Sequence, residues 1–128
     1  MSKKLLLVDN HRDVAGAIDA IIQPLDIIVR VVDDSRKAVA TFLSFAPDFV
    51  ILDMVMKDID GIDVLSKLIA TGRDALIILA ASPGIGEAYV RIAQGVARFN
   101  GLGPLQVLHK PFDEAQLRAL LAQVVSSV

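Results

Sequence analysis

Short apolar runs recur along the chain and are separated by segments of mixed polarity. The runs are four to six residues long and lie at residues 5–8, 27–32, 49–52, 75–80 and 105–108. They are rich in Val, Ile and Leu and nearly continuous, rather than alternating apolar with polar positions. Strands of a parallel sheet that is covered on both faces have this pattern, so the runs predict five such strands.

The segments between the runs place apolar residues at helical spacing. They predict helices near residues 14–22, 38–43, 61–69, 87–100 and 114–125, with Ser35, Gly72 and Asp113 as capping residues. Strict alternation of strands and helices, joined by right-handed crossovers, predicts a three-layer sandwich. We therefore expect residues 1–128 to form one α/β domain, with a doubly wound five-stranded parallel sheet in the (βα)5 flavodoxin-like arrangement.

The composition disfavours several classes of protein. Apolar residues make up 54% of the 128 residues, yet the longest uninterrupted run has seven, at residues 75–81. A membrane-spanning helix needs about 20. The net charge is −2 and no basic cluster exceeds Lys3-Lys4, so we expect no nucleic-acid surface in this domain. The chain has no cysteine and two histidines, which excludes cysteine nucleophiles and His-rich metal sites.

The start of the chain bears on its location. Only four apolar residues, at 5–8, separate the basic N-terminus from Asp9. That run is too short for the apolar core of a secretory signal peptide, which favours a cytoplasmic protein.

Polar side chains follow the predicted strands at the point where each strand ends. Asp9 and Asn10 follow the first strand, Asp53 the third and Lys110 the fifth. Ligands of doubly wound folds bind beyond the carboxyl ends of the strands, where these side chains meet if the three strands are neighbours. Two carboxylates and a carboxamide suit Mg²⁺, and a lysine suits phosphate oxygens. A carboxylate beside both can act as a nucleophile toward a phosphoryl group, so the strand ends predict a phosphoryl-transfer site.

Four motifs, in order and spacing, resemble those of response-regulator receiver domains, the phosphoacceptors of two-component signalling. They are LLLVDN at residues 5–10, PDFVILD at 47–53, DMVMKDIDG at 53–61 and KPF at 110–112. The resemblance covers the whole chain. It implies that a sensor histidine kinase or a phosphotransfer protein phosphorylates the domain, with Mg²⁺ as cofactor. The domain would then relay the signal through its fourth helix, fifth strand and fifth helix.

The resemblance also implies roles for individual residues. The domain would be a stoichiometric phosphoacceptor with slow self-dephosphorylation, not a turnover enzyme. The implied roles are phosphoacceptor for Asp53, Mg²⁺ ligands for Asp9, Asn10, Asp53 and the Val55 carbonyl, phosphoryl contact for Lys110, and a cis peptide before Pro111.

Several positions depart from the receiver pattern. Asn10 stands where a second acid is usual, so we expect weaker Mg²⁺ binding. Ala80 stands where Thr or Ser usually offers a hydroxyl to the phosphoryl group, which leaves the Ala81 N–H and the Ser82 hydroxyl as candidate donors. Val107 replaces the aromatic residue that usually switches on activation, and Lys57 replaces a common proline.

Different interpretations of these departures stay open. Either the domain is phosphorylated and signals by another route, or it is a degenerate receiver that serves as a phosphorylation-independent dimerisation or docking module. A flavin or nucleotide binder is disfavoured, because residues 9–13 contain no glycine-rich phosphate cradle. Residues 93–112 are similar to receivers attached to EAL-type cyclic di-GMP phosphodiesterases. Besides the kinase, these interpretations give two candidate partners. One is a fused or separate output domain, and the other is a second copy of the chain.

Overall fold

The computed structural model describes residues 2–9, 16, 18–19, 25–54 and 61–126. Its strands are β1 (Lys3–Val8), β2 (Ile27–Val32), β3 (Phe49–Asp53), β4 (Leu76–Ala81) and β5 (Gln106–His109). Each strand begins and ends within two residues of a predicted run. The strands form one parallel sheet in the order β2-β1-β3-β4-β5, which confirms the predicted doubly wound sheet.

Four long helices lie in the described part of the chain and correspond to the second to fifth predicted helices. They are α1 (Ala38–Phe45), α2 (Gly61–Ala70), α3 (Ile85–Phe99) and α4 (Glu114–Ser126). Most of the first predicted helix lies outside the described residues, although residues 16, 18 and 19 are helical. No helix among the described residues is long and apolar enough to span a membrane.

The helix caps agree with the sequence at two of three positions. Gly72 has φ +71 and donates its N–H to the Ile69 carbonyl just after α2, and Asp113 accepts from the Ala115 N–H at the start of α4. The cap before α1 is Asp34 and not Ser35. Asp34 has extended backbone and accepts from the Arg36 N–H, while residues 35–37 form a 3₁₀ turn that leads into α1. The Arg36 side chain also holds the pKa of Asp34 below its ordinary value.

The sheet separates two apolar layers, because successive side chains of a strand point to opposite faces. We call them the α1–α3 layer and the α4 layer. Strand residues of the α1–α3 layer pack against α1, α2 and α3; the buried ones are Leu6, Val8, Val32, Val50, Leu52, Ile77 and Leu79. Strand residues of the α4 layer pack against Ile18, Leu117 and Leu121; they are Leu5, Leu7, Phe49, Ile51, Ile78, Ala80 and Leu108. Tyr89 of α3 is partly buried against the α1–α3 layer. Both faces of the sheet are covered, as the apolar runs predicted.

Candidate functional site

Asp9 and Asp53 lie at the carboxyl ends of two neighbouring strands. Val8 pairs with Leu52 in the parallel register of β1 and β3, so the acids that follow these residues are adjacent. In the order β2-β1-β3-β4-β5, this is the point at which the chain connections reverse direction, which is where doubly wound folds bind ligands. The side chains of Asp9 and Asp53 are 0% and 2% exposed. The sheet thus brings two buried carboxylates together at its ligand-binding edge.

Lys110 reaches both carboxylates from the other end of the site. Its Nζ lies 2.7 Å from Asp9 Oδ2 and 3.3 Å from Asp53 Oδ2, and its side chain is 11% exposed. β5 is not a neighbour of β3, however, because β4 lies between them. The Lys110 N–H donates to the Ala81 carbonyl at 2.7 Å, which fixes the lysine backbone at the end of β4, and the long side chain reaches from there to Asp9 and Asp53.

The end of β3 is held by backbone contacts that the sequence did not reveal. The Met54 N–H donates to the Ala80 carbonyl at 3.0 Å, and the Met54 carbonyl accepts from the Gly61 N–H at 2.8 Å. A Cβ at Gly61 would lie 2.6 Å from the Asp53 carbonyl oxygen and 2.6 Å from Met54 Cα. In the sequence, Gly61 marks only the start of the predicted helix at 61–69 and the end of the motif at 53–61. Its close approach to Asp53 depends on the tertiary fold, and the glycine itself is the only sign of it in the sequence.

The other predicted positions of the site lie at the end of β4 and in β5. Ala80 is paired with Asp53 in the sheet and is fully buried in the α4 layer. Because its side chain is a methyl group, it brings no hydroxyl to the site. Ala81 is buried and Ser82 is half-buried just beyond it. Val107 is partly buried in the α1–α3 layer, on the opposite face of the sheet from Ala80. The Lys110–Pro111 peptide bond is cis, as the resemblance implied.

The described residues supply part of the predicted metal site. Asn10 and Val55, which are two of its predicted ligands, lie outside the described residues, as does Lys57. Within the described ranges, no three His, Cys, Asp or Glu side chains group closely enough to hold a metal ion. Asp9, Asp53 and Lys110 together carry a formal charge of −1. Among the described residues, two buried acids thus share one ammonium group.

A doubly wound sheet with two acids and a lysine at its carboxyl edge is the arrangement that the resemblance to receiver domains predicted. A comparison with models of known protein families matches residues 5–122 to the response regulator receiver domain. The chain belongs to this family and is a receiver domain of two-component signalling.

Two response regulators of similar sequence support the same assignment. Response regulator MprA of Mycolicibacterium vanbaalenii is 30% identical over 126 residues, covering 94% of this chain and 51% of that protein. The nitrate/nitrite response regulator protein homolog of Haemophilus influenzae is 33% identical over 95 residues, covering 72% of this chain and 46% of that protein. The chain thus spans about half the length of the curated relatives that it matches.

Solved structures show the same fold at lower sequence identity. The chemotaxis protein CheY4 of Vibrio cholerae superposes with a TM-score of 0.77 over 97% of this chain and 99% of that chain. Its sequence is 20% identical, so the likeness concerns the fold alone.

Proposed function

We propose that Asp53 is the residue that accepts the phosphoryl group. The observation that carries this proposal is the position of its buried carboxylate, beside Asp9 on the neighbouring strand and 3.3 Å from Lys110 Nζ. A carboxylate oxygen of Asp53 attacks the phosphorus atom of a phosphohistidine on a sensor histidine kinase or a phosphotransfer protein. The new O–P bond forms as the P–N bond breaks, and the histidine nitrogen leaves with the electron pair. The product is an acyl phosphate on Asp53.

Lys110 offsets the charge that the transfer brings into the site. A phosphoryl group adds roughly −1.5 to −2 charge at neutral pH, and the three described groups already sum to −1. The Lys110 ammonium is the one positive group among them, and 3.3 Å separates it from Asp53. It is placed to contact the phosphoryl oxygens as a point charge. We infer that Lys110 orients and neutralises the transferred group.

The donor chemistry of the site fits Mg²⁺. Asp9 and Asp53 are carboxylates on adjacent strands, and hard divalent cations bind such oxygen ligands while they keep several waters. Asp9 and Asp53 would hold the ion, with the Asn10 amide and the Val55 carbonyl as further ligands. When it is bound, Mg²⁺ supplies positive charge to the phosphoryl oxygens. The amide at Asn10 carries no charge, so we expect the affinity for Mg²⁺ to be lower than with a third acid.

Phosphorylation by a small phosphodonor tests the assignment of Asp53. Incubation with acetyl phosphate and Mg²⁺, followed by intact-mass measurement, is expected to add one phosphoryl group to the wild type and none to Asp53→Asn. Asp63→Asn is the matched control, because Asp63 is an exposed acid of α2 that pairs with Lys67. It is expected to be labelled like the wild type. A wild type that stays unlabelled while a typical receiver is labelled, or an Asp53→Asn variant that is labelled, would contradict the assignment.

The second candidate function is that of a degenerate receiver, a docking or dimerisation module that no longer switches. Ala80 favours it, because this fully buried position offers no hydroxyl beside Asp53. A titration with beryllofluoride and Mg²⁺, followed by amide NMR, separates the candidates. We expect shifts around Asp53 and Lys110, and a switching domain also shows them along α3, β5 and α4. Shifts confined to the site would mean binding without switching, and no shifts at all would favour the degenerate module.

The setting of the domain follows from the proposed chemistry. Transfer to a single aspartate is stoichiometric, so we propose a phosphoacceptor with slow self-hydrolysis rather than a turnover enzyme. We also propose that the receiver meets its phosphodonor, a kinase domain or a phosphotransfer protein, in the cytoplasm. We take residues 1–128 as one receiver domain whose output domain is fused or separate.

The nature of that output is a finer proposal. Residues 93–112, which include the second half of α3 and all of β5, are similar in sequence to receivers attached to EAL-type cyclic di-GMP phosphodiesterases. We propose an output of that type. The complete open reading frame of the gene tests it, because the proposal requires an EAL-type domain in the same or a neighbouring frame.

A further inference from the structure

The Gln94 side chain of α3 makes two hydrogen bonds to the residue that precedes β5. Its Nε2 donates to the Leu105 carbonyl at 2.7 Å, and its Oε1 accepts from the Leu105 N–H at 2.8 Å. A side-chain amide both donates and accepts, so it binds the two backbone groups of Leu105 as a neighbouring strand would. Both residues are half-buried, which reduces the competition of water for these bonds. We call this pair of bonds the Gln94–Leu105 clamp.

β5 is tied at both of its ends. It lies at the edge of the sheet, so the sheet itself holds it on one side, through β4. At its end, the Lys110 N–H donates to the Ala81 carbonyl, and the Lys110 side chain reaches the two buried acids of the site. At its start, the Gln94–Leu105 clamp ties it to α3. The extended chain from Leu105 to Lys110, about 16 Å long at 3.3 Å per residue, therefore connects the site with α3.

The covalent connection between α3 and β5 is suited to absorbing movement rather than transmitting it. Gly101 has φ +81 and donates its N–H to the Arg98 carbonyl, which ends the helix. Residues 102–105 have no regular secondary structure, and a Cβ at Gly103 would meet no atom within 4 Å. A segment with two glycines has a wide choice of backbone conformations. The clamp, by contrast, fixes one residue of the chain to the helix at two atoms.

The charges of the site supply a force on Lys110. Its Nζ lies 2.7 Å from Asp9 Oδ2 and 3.3 Å from Asp53 Oδ2, so in the unphosphorylated site it is nearer to Asp9. A phosphoryl group adds roughly −1.5 to −2 charge on the Asp53 side. The balance of attraction on the ammonium then moves toward Asp53. Because Lys110 directly follows β5, a force on it also acts on that strand.

We propose that Gln94 is a positioning residue that couples α3 to the site through β5. When Lys110 is drawn toward Asp53, β5 is displaced against β4, and the Gln94–Leu105 clamp carries the displacement to α3. This coupling rests on the proposed phosphorylation of Asp53. It needs neither a hydroxyl at Ala80 nor an aromatic side chain at Val107, which are the two positions where the chain departs from the receiver pattern of switching.

Amide NMR of the unliganded protein tests the coupling without phosphorylation. Asp9→Asn removes the charge nearest to Lys110 and is expected to shift the signals of β5 and of α3 around Gln94. In the Gln94→Met background, the same change is expected to shift β5 and leave α3 unaltered, because methionine has neither of the groups that bond Leu105. An α3 that does not respond to Asp9→Asn, or that responds equally in the Gln94→Met background, would overturn the proposal.

Arg91→Gly is the matched control for Gln94→Met. Arg91 is an exposed residue of the same helix, and glycine there weakens the helix but leaves the clamp in place. Asp9→Asn is therefore expected to reach α3 in the Arg91→Gly background as it does in the wild type. If Arg91→Gly abolishes the response as well, the effect of Gln94→Met is a general loss of helix stability and the proposal fails. Far-UV circular dichroism verifies that each variant is folded.

A titration with beryllofluoride and Mg²⁺ tests the coupling in the phosphorylated state that it serves. The wild type and Arg91→Gly are expected to show amide shifts around Asp53 and along α3, whereas Gln94→Met keeps the first set and loses the second. Shifts along α3 that persist in Gln94→Met would overturn the proposal while leaving Asp53 as the phosphoacceptor. An absence of shifts around Asp53 in every variant would contradict the proposed phosphorylation instead, and the Asp9→Asn comparison would then decide the coupling alone.

Discussion

Replacing Lys110 with alanine is expected to lower the free energy of unfolding by about 3–5 kcal/mol, the usual cost of removing one partner from a buried ion pair. The Asp9 and Asp53 side chains are 0% and 2% exposed, and the ammonium of Lys110 lies within 3.3 Å of both. Without it, two carboxylates face each other with little water to separate them. Urea denaturation followed by far-UV circular dichroism measures the change.

A second substitution separates this electrostatic cause from lost packing. In the Lys110→Ala background, Asp9→Asn is expected to recover part of the lost stability, because it removes one of the two facing charges. The surface control is Lys67→Ala, which breaks the exposed Lys67–Asp63 pair and is expected to cost less than about 1 kcal/mol. If Asp9→Asn destabilises Lys110→Ala further, repulsion between the acids is not the cause.

Replacing Gly61 with alanine is expected to destabilise the domain, although helix propensity alone predicts the opposite. Alanine in place of glycine in a helix adds about 0.5–1 kcal/mol of stability where there is room. At Gly61 the new Cβ would lie 2.6 Å from the Asp53 carbonyl oxygen and from Met54 Cα, so the backbone that carries Asp53 must move. We expect a loss of about 1–3 kcal/mol, as for other overpacked sites, together with slower phosphorylation by acetyl phosphate.

Gly95→Ala is the matched control for Gly61→Ala. Gly95 is also a helical glycine, but a Cβ there meets nothing within 4 Å. In urea denaturation at low protein concentration, this variant is expected to be more stable than the wild type. A Gly61→Ala variant that gains stability in the same way would contradict the prediction, because it would show that the backbone at Asp53 can move away from the new Cβ without loss of stability.

The strands and the three central site residues could be predicted from the sequence because their signals are local. A continuous apolar run that ends in an acid indicates a buried strand and its carboxyl end, and the KPF motif marked Lys110. The sequence said less about which strands are neighbours in the sheet. Whether β1, β3 and β5 are neighbours was left open, and in the structure β4 separates β5 from β3, since strand order is decided by crossover packing rather than by any one run.

The two features that were missed depend on contacts between distant parts of the chain. The approach of Gly61 to Asp53 needs the chain to return to the end of β3, which the predicted helix start at residue 61 does not specify. In α3, apolar residues lie around much of the helix, so periodicity did not separate the buried residues from the exposed ones. Ala93 and Ala97 are buried, whereas Ile92, which directly precedes Ala93, is 54% exposed.

The packing of Tyr89 gives the domain a built-in optical reporter. The chain contains one tyrosine and no tryptophan, so its tyrosine fluorescence arises from a single position. That position is on α3, partly buried against the α1–α3 layer, midway between the end of β4 and the exposed Phe99. The emission of the unlabelled protein is therefore a local signal from this helix, available without an added dye, whenever a ligand, a phosphodonor or a second copy changes its surroundings.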